Sequence, residues 1–148
     1  MKARDLMKSD LTTVSADSLL KDAAGLLAKL EITGLPVANS QNEVIGFISE
    51  RDIIAAAFPE SLTLKTPEVV SLTNLSLIVR KLNSQGTDRV DDHIGPRLFC
   101  VKEEADLHEI VELMLDKNLK RLPVLRNKQL VGIIERAAIS KVAMELGL

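Results

Sequence analysis

The feature that most constrains this chain is an internal repeat. The segment DLMKSDLTTVSADSLLKDAAGLL, which begins at Asp5, matches DHIGPRLFCVKEEADLHEIVELM, which begins at Asp92, at a constant offset of 87 residues. A second match joins ITGLPVANSQNEVIGFI, from Ile32, to LKRLPVLRNKQLVGII, from Leu119, with one residue fewer in the second copy. The two copies must share one structure, so the repeat restricts the fold before any motif is considered.

Both copies predict the same order of helices and strands. Apolar residues at the spacing i, i+3, i+4, i+7 indicate an amphipathic helix of about three or four turns in each copy. These residues are Leu20, Ala23, Ala24 and Leu27 in the first copy and Leu107, Ile110, Val111 and Met114 in the second. The runs LPV and VIGFI, or LVGII in the second copy, indicate two strands joined by a polar hairpin turn. A last helix follows, from about Glu50 to Phe58 and from about Glu135 to Gly147.

The segment between the copies, from Pro59 to Arg89, is explained by neither of them. Thr66 as N-cap with Pro67 at the first helical position predicts a helix. SQGTDR, from Ser84, ends it. Its broad apolar face consists of Val69, Val70, Leu72, Leu75, Leu77, Ile78 and Leu82. Such a face either covers the chain's own sheet or meets a second chain, and the sequence favours neither.

One copy cannot close a core alone, because its sheet is apolar on both faces and two short helices cover too little of it. Pairing the copies about a pseudo-twofold axis would bury the exposed sheet faces against each other. We therefore predict an α+β fold in which two β-α-β-β-α motifs pack sheet to sheet. The motifs are residues 1–57 and 90–148, with a helical segment, residues 58–89, between them.

Composition narrows the classes of function. Lys and Arg (19) nearly balance Asp and Glu (21), and three Phe with no Tyr or Trp leave no platform for stacking nucleic-acid bases. The single cysteine, Cys100, excludes an internal disulfide and a cysteine zinc cage, and we assign it to strand packing. No apolar run nears the ~20 residues that span a bilayer, and charges interrupt the N-terminus where a signal peptide is apolar. We expect a soluble cytoplasmic protein with no nucleic-acid or membrane partner.

The order of the motifs points to a known family. GLPV or RLPV before the hairpin and VIGFISERDI or LVGIIERAAI after it, written twice at one spacing, resemble a tandem pair of cystathionine β-synthase (CBS) domains, a Bateman module. The resemblance covers about residues 1–57 and 90–148. It implies a regulatory module that binds an adenosine-containing ligand, of the AMP, ATP or S-adenosylmethionine class, in the cleft between the copies. It also implies face-to-face pairing into a homodimer.

The stretch Ser49-Glu50-Arg51-Asp52 has two interpretations. From the residues alone it is a capping box, in which Ser49 accepts the amide of Asp52 and Asp52 accepts the amide of Ser49. The resemblance implies that Asp52 accepts hydrogen bonds from two ribose hydroxyls, while the helix N-terminus attracts the attached phosphate. Both interpretations use the same atoms.

Several cations are available for that phosphate. They are Arg51, Lys120, Arg121 and Arg136. For Arg51 and Arg121, a solvated surface position is the simpler interpretation. Arg136 begins its helix, where the positive end of the dipole disfavours a cation by ~0.3–1 kcal/mol, and a bound anion would remove that penalty.

The second copy departs from the motif. Glu135 and Ala138 stand where the first copy has Ser49 and Asp52. Ala138 cannot accept a hydrogen bond from a ribose, and Glu135 places negative charge where a phosphate would approach. We expect this second place to bind nucleotide weakly or not at all.

The resemblance further implies that each binding place combines the last helix of one copy with the first strand and the residues before Leu-Pro-Val of the other. The walls of the Asp52 place are then Leu98, Phe99, Cys100, Leu119, Lys120, Leu122 and Pro123. The walls of the second, weaker place are Thr12, Thr13, Ile32, Thr33 and Pro36. The alternatives are a core position for Phe99 and plain strand positions for Thr12 and Thr13.

No motif in the sequence indicates catalysis or a metal. There is no H-E-x-x-H, G-x-S-x-G or Walker loop, and no nucleophile or base with an orienting partner. We therefore predict that the protein is not an enzyme and holds no metal or cofactor apart from a regulatory ligand. Its output would pass through association, with a second copy or an unidentified protein partner. The alternative is a ligand-free scaffold that dimerises or docks a partner.

Overall fold

The computed structural model describes residues 1–57, 88–95 and 97–146. The first copy contains α1 (Ala3–Leu6), β1 (Val14–Ser15), α2 (Leu20–Leu30), β2 (Gly34–Ala38), β3 (Val44–Ser49) and α3 (Glu50–Ala57). The second contains a 3₁₀ turn (Val90–Asp92), β4 (Val101–Lys102), α4 (Leu107–Asp116), β5 (Arg121–Arg126), β6 (Gln129–Glu135) and α5 (Arg136–Glu145). The predicted order β-α-β-β-α is confirmed in both copies. The helix predicted from Thr66 lies outside the described residues.

The two sheets have the same topology. Their strand orders are β1-β2-β3 and β4-β5-β6, with the first pair parallel and the second antiparallel in each. The registers also agree, since Val14 pairs with Val37 and Val101 with Val124. The central strand β2 is buried along its whole length, as expected for a strand with a neighbour on each edge and cover on both faces. The predicted α+β class is confirmed.

Periodicity in the sequence accounts for the two long helices. In α2 the buried positions are Leu20, Ala23 and Leu27, which belong to the predicted stripe, and in α4 they include Ile110 and Met114. Each stripe faces its own sheet and forms a separate core. The cap differs between the two helices. The Asp106 side chain accepts the Glu109 amide at 2.9 Å at the start of α4, whereas Leu19 at the start of α2 offers no cap.

The hairpins differ in length, as the one-residue gap in the repeat predicts. In the second copy, Asn127 and Lys128 connect β5 to β6 with φ values of 51° and 67°. Two consecutive residues with positive φ form the type I′ turn that fits the twist of a two-residue hairpin. In the first copy the connection between β2 and β3 is longer, and its Asn39 side chain accepts the amides of Gln41 and Glu43.

The leading segment of each copy, residues 1–8 and 88–95, packs on the other copy. The Ala3 amide donates to the Ala105 carbonyl at 2.8 Å, and at the equivalent positions the Val90 amide donates to the Ser18 carbonyl at 2.8 Å. Ala3 is accordingly buried in the second core and Val90 in the first. Residues 1–8 therefore complete the core of the second copy, and residues 88–95 complete the core of the first.

Two glycines at equivalent positions allow this exchange. A Cβ on Gly132 would lie 2.8 Å from the Lys8 carbonyl oxygen and against the Met7 side chain. A Cβ on Gly46 would lie 2.8 Å from Cδ1 of Ile94. Both distances are below ordinary van der Waals contact, so the leading segments cross the sheets where a side chain is missing.

Candidate functional site

Ser49 and Asp52 form the capping box at the start of α3. The Ser49 amide donates to Oδ2 of Asp52 at 2.9 Å, the Ser49 hydroxyl donates to the same oxygen at 2.8 Å, and the Asp52 amide donates to Oγ of Ser49 at 3.1 Å. All of these bonds use Oδ2. Within the described residues Oδ1 of Asp52 has no hydrogen-bond partner, and the side chain is only partly buried. Arg51 beside it is exposed, as expected.

The equivalent turn at the start of α5 has the same backbone and different side-chain chemistry. Glu135 occupies the N-cap position without capping the helix through its side chain, and its carboxylate lies 3.2 Å from Nζ of Lys8. The Arg136 amide donates to the Lys120 carbonyl at 2.9 Å, and its guanidinium donates to Oδ1 of Asn118 at 3.1 Å. Ala138 leaves this turn without the carboxylate that Asp52 supplies in the first copy.

A cleft of about 390 Å³ opens beside this turn, at the seam between the two copies. Its first-copy residues are Glu31, Ile32 and Thr33, and its second-copy residues are Lys120, Arg121, Glu135, Arg136, Ala137 and Ser140. The structure thus brings together Ile32 and Thr33, from the predicted weaker place, with Lys120 and Arg136. Asp52, Phe99 and Cys100 are not among the residues that line it. We call this hollow the seam cleft.

Arg121 is the residue that the sequence analysis interpreted wrongly. Its expected place was the solvated surface, but the residue is only 6% exposed. It begins β5 at the seam, where its guanidinium donates to the Gly34 carbonyl of the first copy and lies 3.3 Å from Oδ2 of Asp10. Burial follows from position, since Gly34 is the equivalent residue of the first copy and the two face each other across the pseudo-twofold axis. A glycine matched to an arginine in the repeat was the available signal.

Asp10 was not singled out by the sequence. Hydrogen bonds from Thr12 hold the pKa of the Asp10 carboxyl below its ordinary value of 3.8, partial burial opposes this, and Arg121 lowers it further. The backbone amide of Thr12 donates to Oδ1 at 3.0 Å. Asp10 is therefore an anion at neutral pH, and it joins the segment before β1 to the second copy.

The remaining predicted walls lie in strands or just before them. Pro36, Leu122 and Pro123 are fully buried strand residues. The half-buried residues just before the strands are Thr12, Thr13, Leu98, Phe99, Cys100 and Leu119.

Phe99 packs against the second core, with Nζ of Lys117 5.6 Å from its ring centre. Burial raises the pKa of the Cys100 thiol, which borders a separate cleft of about 730 Å³ beside β4. Contact of these walls with a ligand stays a prediction.

Two absences apply to the described ranges only. In residues 1–57, 88–95 and 97–146, no three His, Cys, Asp or Glu side chains lie close enough together to hold a metal ion. None of the helices in that part of the chain combines the length and the apolar character needed to cross a membrane.

The repeat, the paired sheets and the seam define a tandem-motif module, and comparison with known proteins identifies it. The CBS domain family model matches residues 3–58 and 90–145, so the chain belongs to the CBS domain family. An uncharacterised protein of Methanocaldococcus jannaschii, MJ1426, is 30% identical over 92% of this chain and 87% of its own length. The CBS-pair protein CBSX2 of Arabidopsis thaliana superimposes with a TM-score of 0.75 at 27% identity, covering 99% of this chain and 96% of that one. A structure of CBSX2 in complex with AMP superimposes at 0.73, with 25% identity and 99% of both chains covered.

Proposed function

We propose that this protein is a non-catalytic regulatory module that binds an adenosine nucleotide at the Asp52 place, on the seam between its two copies. Family membership and the AMP complex of CBSX2 support an adenosine ligand. The ligand would sit at the start of α3, opposite the walls that Leu119 and Lys120 supply from the second copy. The chain would signal through a change in how the copies, or two chains, associate.

The observation that carries this proposal is that Oδ1 of Asp52 has no hydrogen-bond partner among the residues that the structure describes. The capping box occupies Oδ2 only, so capping and ligand binding do not compete for the same atom. An ionised carboxylate accepts hydrogen bonds and donates none, which suits a pair of sugar hydroxyls. The box also fixes the Asp52 side chain before a ligand arrives, and a preorganised group loses less entropy on binding.

The seam provides a route from ligand to response. Contacts between the copies include the bond from Arg121 to Gly34 and the bond from the Val44 amide to the Lys128 carbonyl at 2.8 Å. A ligand that touches both copies has a different affinity for each arrangement of them, and this difference is what shifts an equilibrium. Small changes at the seam would therefore change the relative position of the two sheets.

Isothermal titration calorimetry with AMP, ATP and S-adenosylmethionine tests the proposal. We expect saturable binding of at least one of them, weakened at least about tenfold in Asp52→Ala, because charge-assisted hydrogen bonds to the ribose are lost. Asp22→Ala is the matched control, since Asp22 is an exposed carboxylate in the first turn of α2. No heat with any of the three compounds, or equal affinity in Asp52→Ala and Asp22→Ala, would refute nucleotide binding at this place.

The alternative function, a scaffold that dimerises, is favoured by exposed apolar side chains on the helices of the first copy. Leu30 of α2 is 42% exposed and Ile54 of α3 is 57% exposed. A groove of about 300 Å³ lies between these helices. A second copy of the chain would bury this surface, and a net charge of −2 opposes self-association little. Sedimentation should then give a dimer that Ile54→Glu dissociates, whether or not nucleotide is present, and a monomeric parent protein would refute it.

A further inference from the structure

The surface of the second copy beneath residues 1–8 carries an inference that the ligand places do not. It consists of residues 103–107 and 132–135, and we call it the acceptor groove. The leading segment in this groove has only two buried side chains, those of Ala3 and Leu6. Ordering a backbone costs entropy at every residue, and two buried side chains offset only part of that cost. The segment can therefore leave the groove by local opening, without unfolding of the rest of the molecule.

The acceptor groove selects its occupant by charge. Residues 1–8 carry three basic side chains and one acidic one. Nη1 of Arg4 lies 2.6 Å from Oε1 of Glu104, and Nζ of Lys8 lies 3.2 Å from Oε1 of Glu135. The leading segment of the second copy carries three aspartates and one arginine, so the same carboxylates would repel it. The groove thus fits the sequence of residues 1–8 and discriminates against the other leading segment.

Residues 9–13 connect this segment to β1 and act as its hinge. They form no backbone-to-backbone hydrogen bond with any other described residue, and Leu11 is 60% exposed. Among the described residues, their hydrogen bonds are those of Asp10, whose carboxylate accepts the Thr12 amide at 3.0 Å and lies 3.3 Å from Nη2 of Arg121. Five extended residues span up to about 17 Å, which is enough to carry the segment away from its own second copy.

We infer that the acceptor groove is a docking surface for residues 1–8 of a second copy of this chain, so that two chains exchange their leading segments. The incoming segment has the sequence that already fills the groove within one chain, so each contact of the single chain is reproduced between chains. Exchange of an identical element is a low-cost route to a dimer, because the new cost is that of association alone. This contact uses neither Leu30 nor Ile54 of the helix faces, and it does not depend on nucleotide binding.

Disulfide trapping tests the exchange with the full chain. Lys2 and Asp106 face each other in an antiparallel bridge, a spacing that admits a disulfide. One chain carries Lys2→Cys and the other Asp106→Cys, and in both the single native cysteine is replaced by Cys100→Ser. After mixing, a disulfide between the two chains requires residue 2 of one chain to occupy the groove of the other. We expect a heterodimeric product on nonreducing electrophoresis, with a yield that rises with protein concentration.

The equivalent position in the first copy supplies the matched control. Leu19 forms the corresponding bridge with Arg89, so Leu19→Cys places the thiol at the same point of the other groove. Mixed with the Lys2→Cys chain, it should give at least about tenfold less product, since a disulfide needs close approach at this point. A single chain with both Lys2→Cys and Asp106→Cys should form the bond internally. Absence of that internal bond would contradict the placement of residues 1–8 on which the inference depends.

Charge reversal tests the specificity of the groove. Arg4→Glu in the Lys2→Cys chain should lower the yield about threefold, the scale of a lost exposed ion pair. Glu104→Arg in the Asp106→Cys chain should restore it. Ile54→Glu should leave the yield unchanged, because the helix faces take no part in the exchange.

Three results would overturn the inference. The first is a yield no higher than that of the Leu19→Cys control at every protein concentration. The second is a yield that Arg4→Glu does not lower. The third is loss of the product in Ile54→Glu, which would assign the association to the helix faces.

Discussion

The first turns of α3 and α5 are equivalent in backbone and different in chemistry. At the start of α3, the Glu50 amide donates to the Thr33 carbonyl at 3.0 Å. At the start of α5, the Arg136 amide donates to the carbonyl of Lys120, the equivalent of Thr33, at 2.9 Å. Yet the α3 turn has a complete capping box, and the α5 turn has none. The two copies thus share the backbone contacts on which packing depends, while their polar side chains at the seam are different. Comparing matched substitutions in the two copies shows which differences have energetic consequences.

The largest expected difference in stability concerns Gly46 and Gly132, the two glycines where a leading segment crosses a sheet. Gly132→Ala should lower the free energy of unfolding by about 1–3 kcal/mol, because the new methyl group meets the Lys8 backbone, which cannot rotate away. Gly46→Ala should cost only about 0.5–1.5 kcal/mol, since the far end of the Ile94 side chain can move. Urea unfolding of both variants measures the difference.

A third glycine serves as the control for this comparison. Gly25 lies within α2, and a Cβ there would meet nothing within 4 Å. Gly25→Ala should therefore stabilise the protein, by about 0.5–1 kcal/mol, through helix propensity alone. Equal stability of the Gly132 and Gly46 variants would contradict the structural difference between the two crossings.

A smaller effect should separate the two helix caps. Ser49→Ala should cost about 1 kcal/mol, because the Asp52 amide and carboxylate both lose a partner. Glu135→Ala should change stability by less than about 0.5 kcal/mol, since it removes only the partly exposed ion pair with Lys8. Thermal unfolding of the two variants at neutral pH measures both effects.

The reverse experiment transplants the motif into the second copy. The double variant Glu135→Ser, Ala138→Asp should gain about 1 kcal/mol, since a capping box would satisfy amides at the start of α5. A loss of stability in this variant would show that the backbone at the start of α5 cannot host a capping box. A Glu135→Ala cost equal to that of Ser49→Ala would show that the two turns differ less than their hydrogen bonds indicate.

The smallest expected effect depends on pH and concerns the Asp106 cap of α4, which the equivalent helix α2 lacks. The hydrogen bond from the Glu109 amide holds the pKa of Asp106 below its ordinary value of 3.8. A depressed pKa in the folded state means that stabilisation is present above the unfolded value and is lost as pH falls through the folded one. Asp106→Ala should therefore lower the urea midpoint at neutral pH, and the difference should disappear at acid pH.

The matched control for that pH dependence is Asp106→Asn, which keeps a capping oxygen without a titrating proton. Its stability at neutral pH should lie close to that of the parent protein and should not show the same acid loss. A constant gap between Asp106→Ala and the parent down to the lowest pH would rule out the carboxylate as the source of the effect.

Much of the fold could be predicted because its signals are local or repeated. The stripe that begins at Leu20 predicted α2, the hairpin gap predicted the shorter turn at Asn127, and the match between the copies predicted two like sheets. The capping role of Ser49 and Asp52 was available from their spacing alone. Each of these features depends on residues close together in the chain or on the offset of the repeat.

The features that the sequence analysis missed depend on contacts between the copies. The burial of Arg121 follows from its position opposite Gly34, 87 residues away, and no pattern around Arg121 itself indicates it. The exchange of leading segments likewise joins Ala3 to Ala105, and helical or strand periodicity carries no information about such a pairing. The local sign of this exchange in the sequence is a glycine at the same position of two apolar strands, Gly46 in β3 and Gly132 in β6.

The exchanged leading segments have a consequence for how this molecule could be divided. Cutting the chain anywhere from residue 58 to residue 87 would yield two fragments, each of which carries the piece that finishes its counterpart's interior and lacks its own. Neither fragment would contain all of its own core, so we expect the two to regain their structure by mutual complementation. The smallest unit that contains both complete cores is accordingly the pair of copies. Any signal that separated the copies would also remove residues 1–8 from the second core and residues 88–95 from the first.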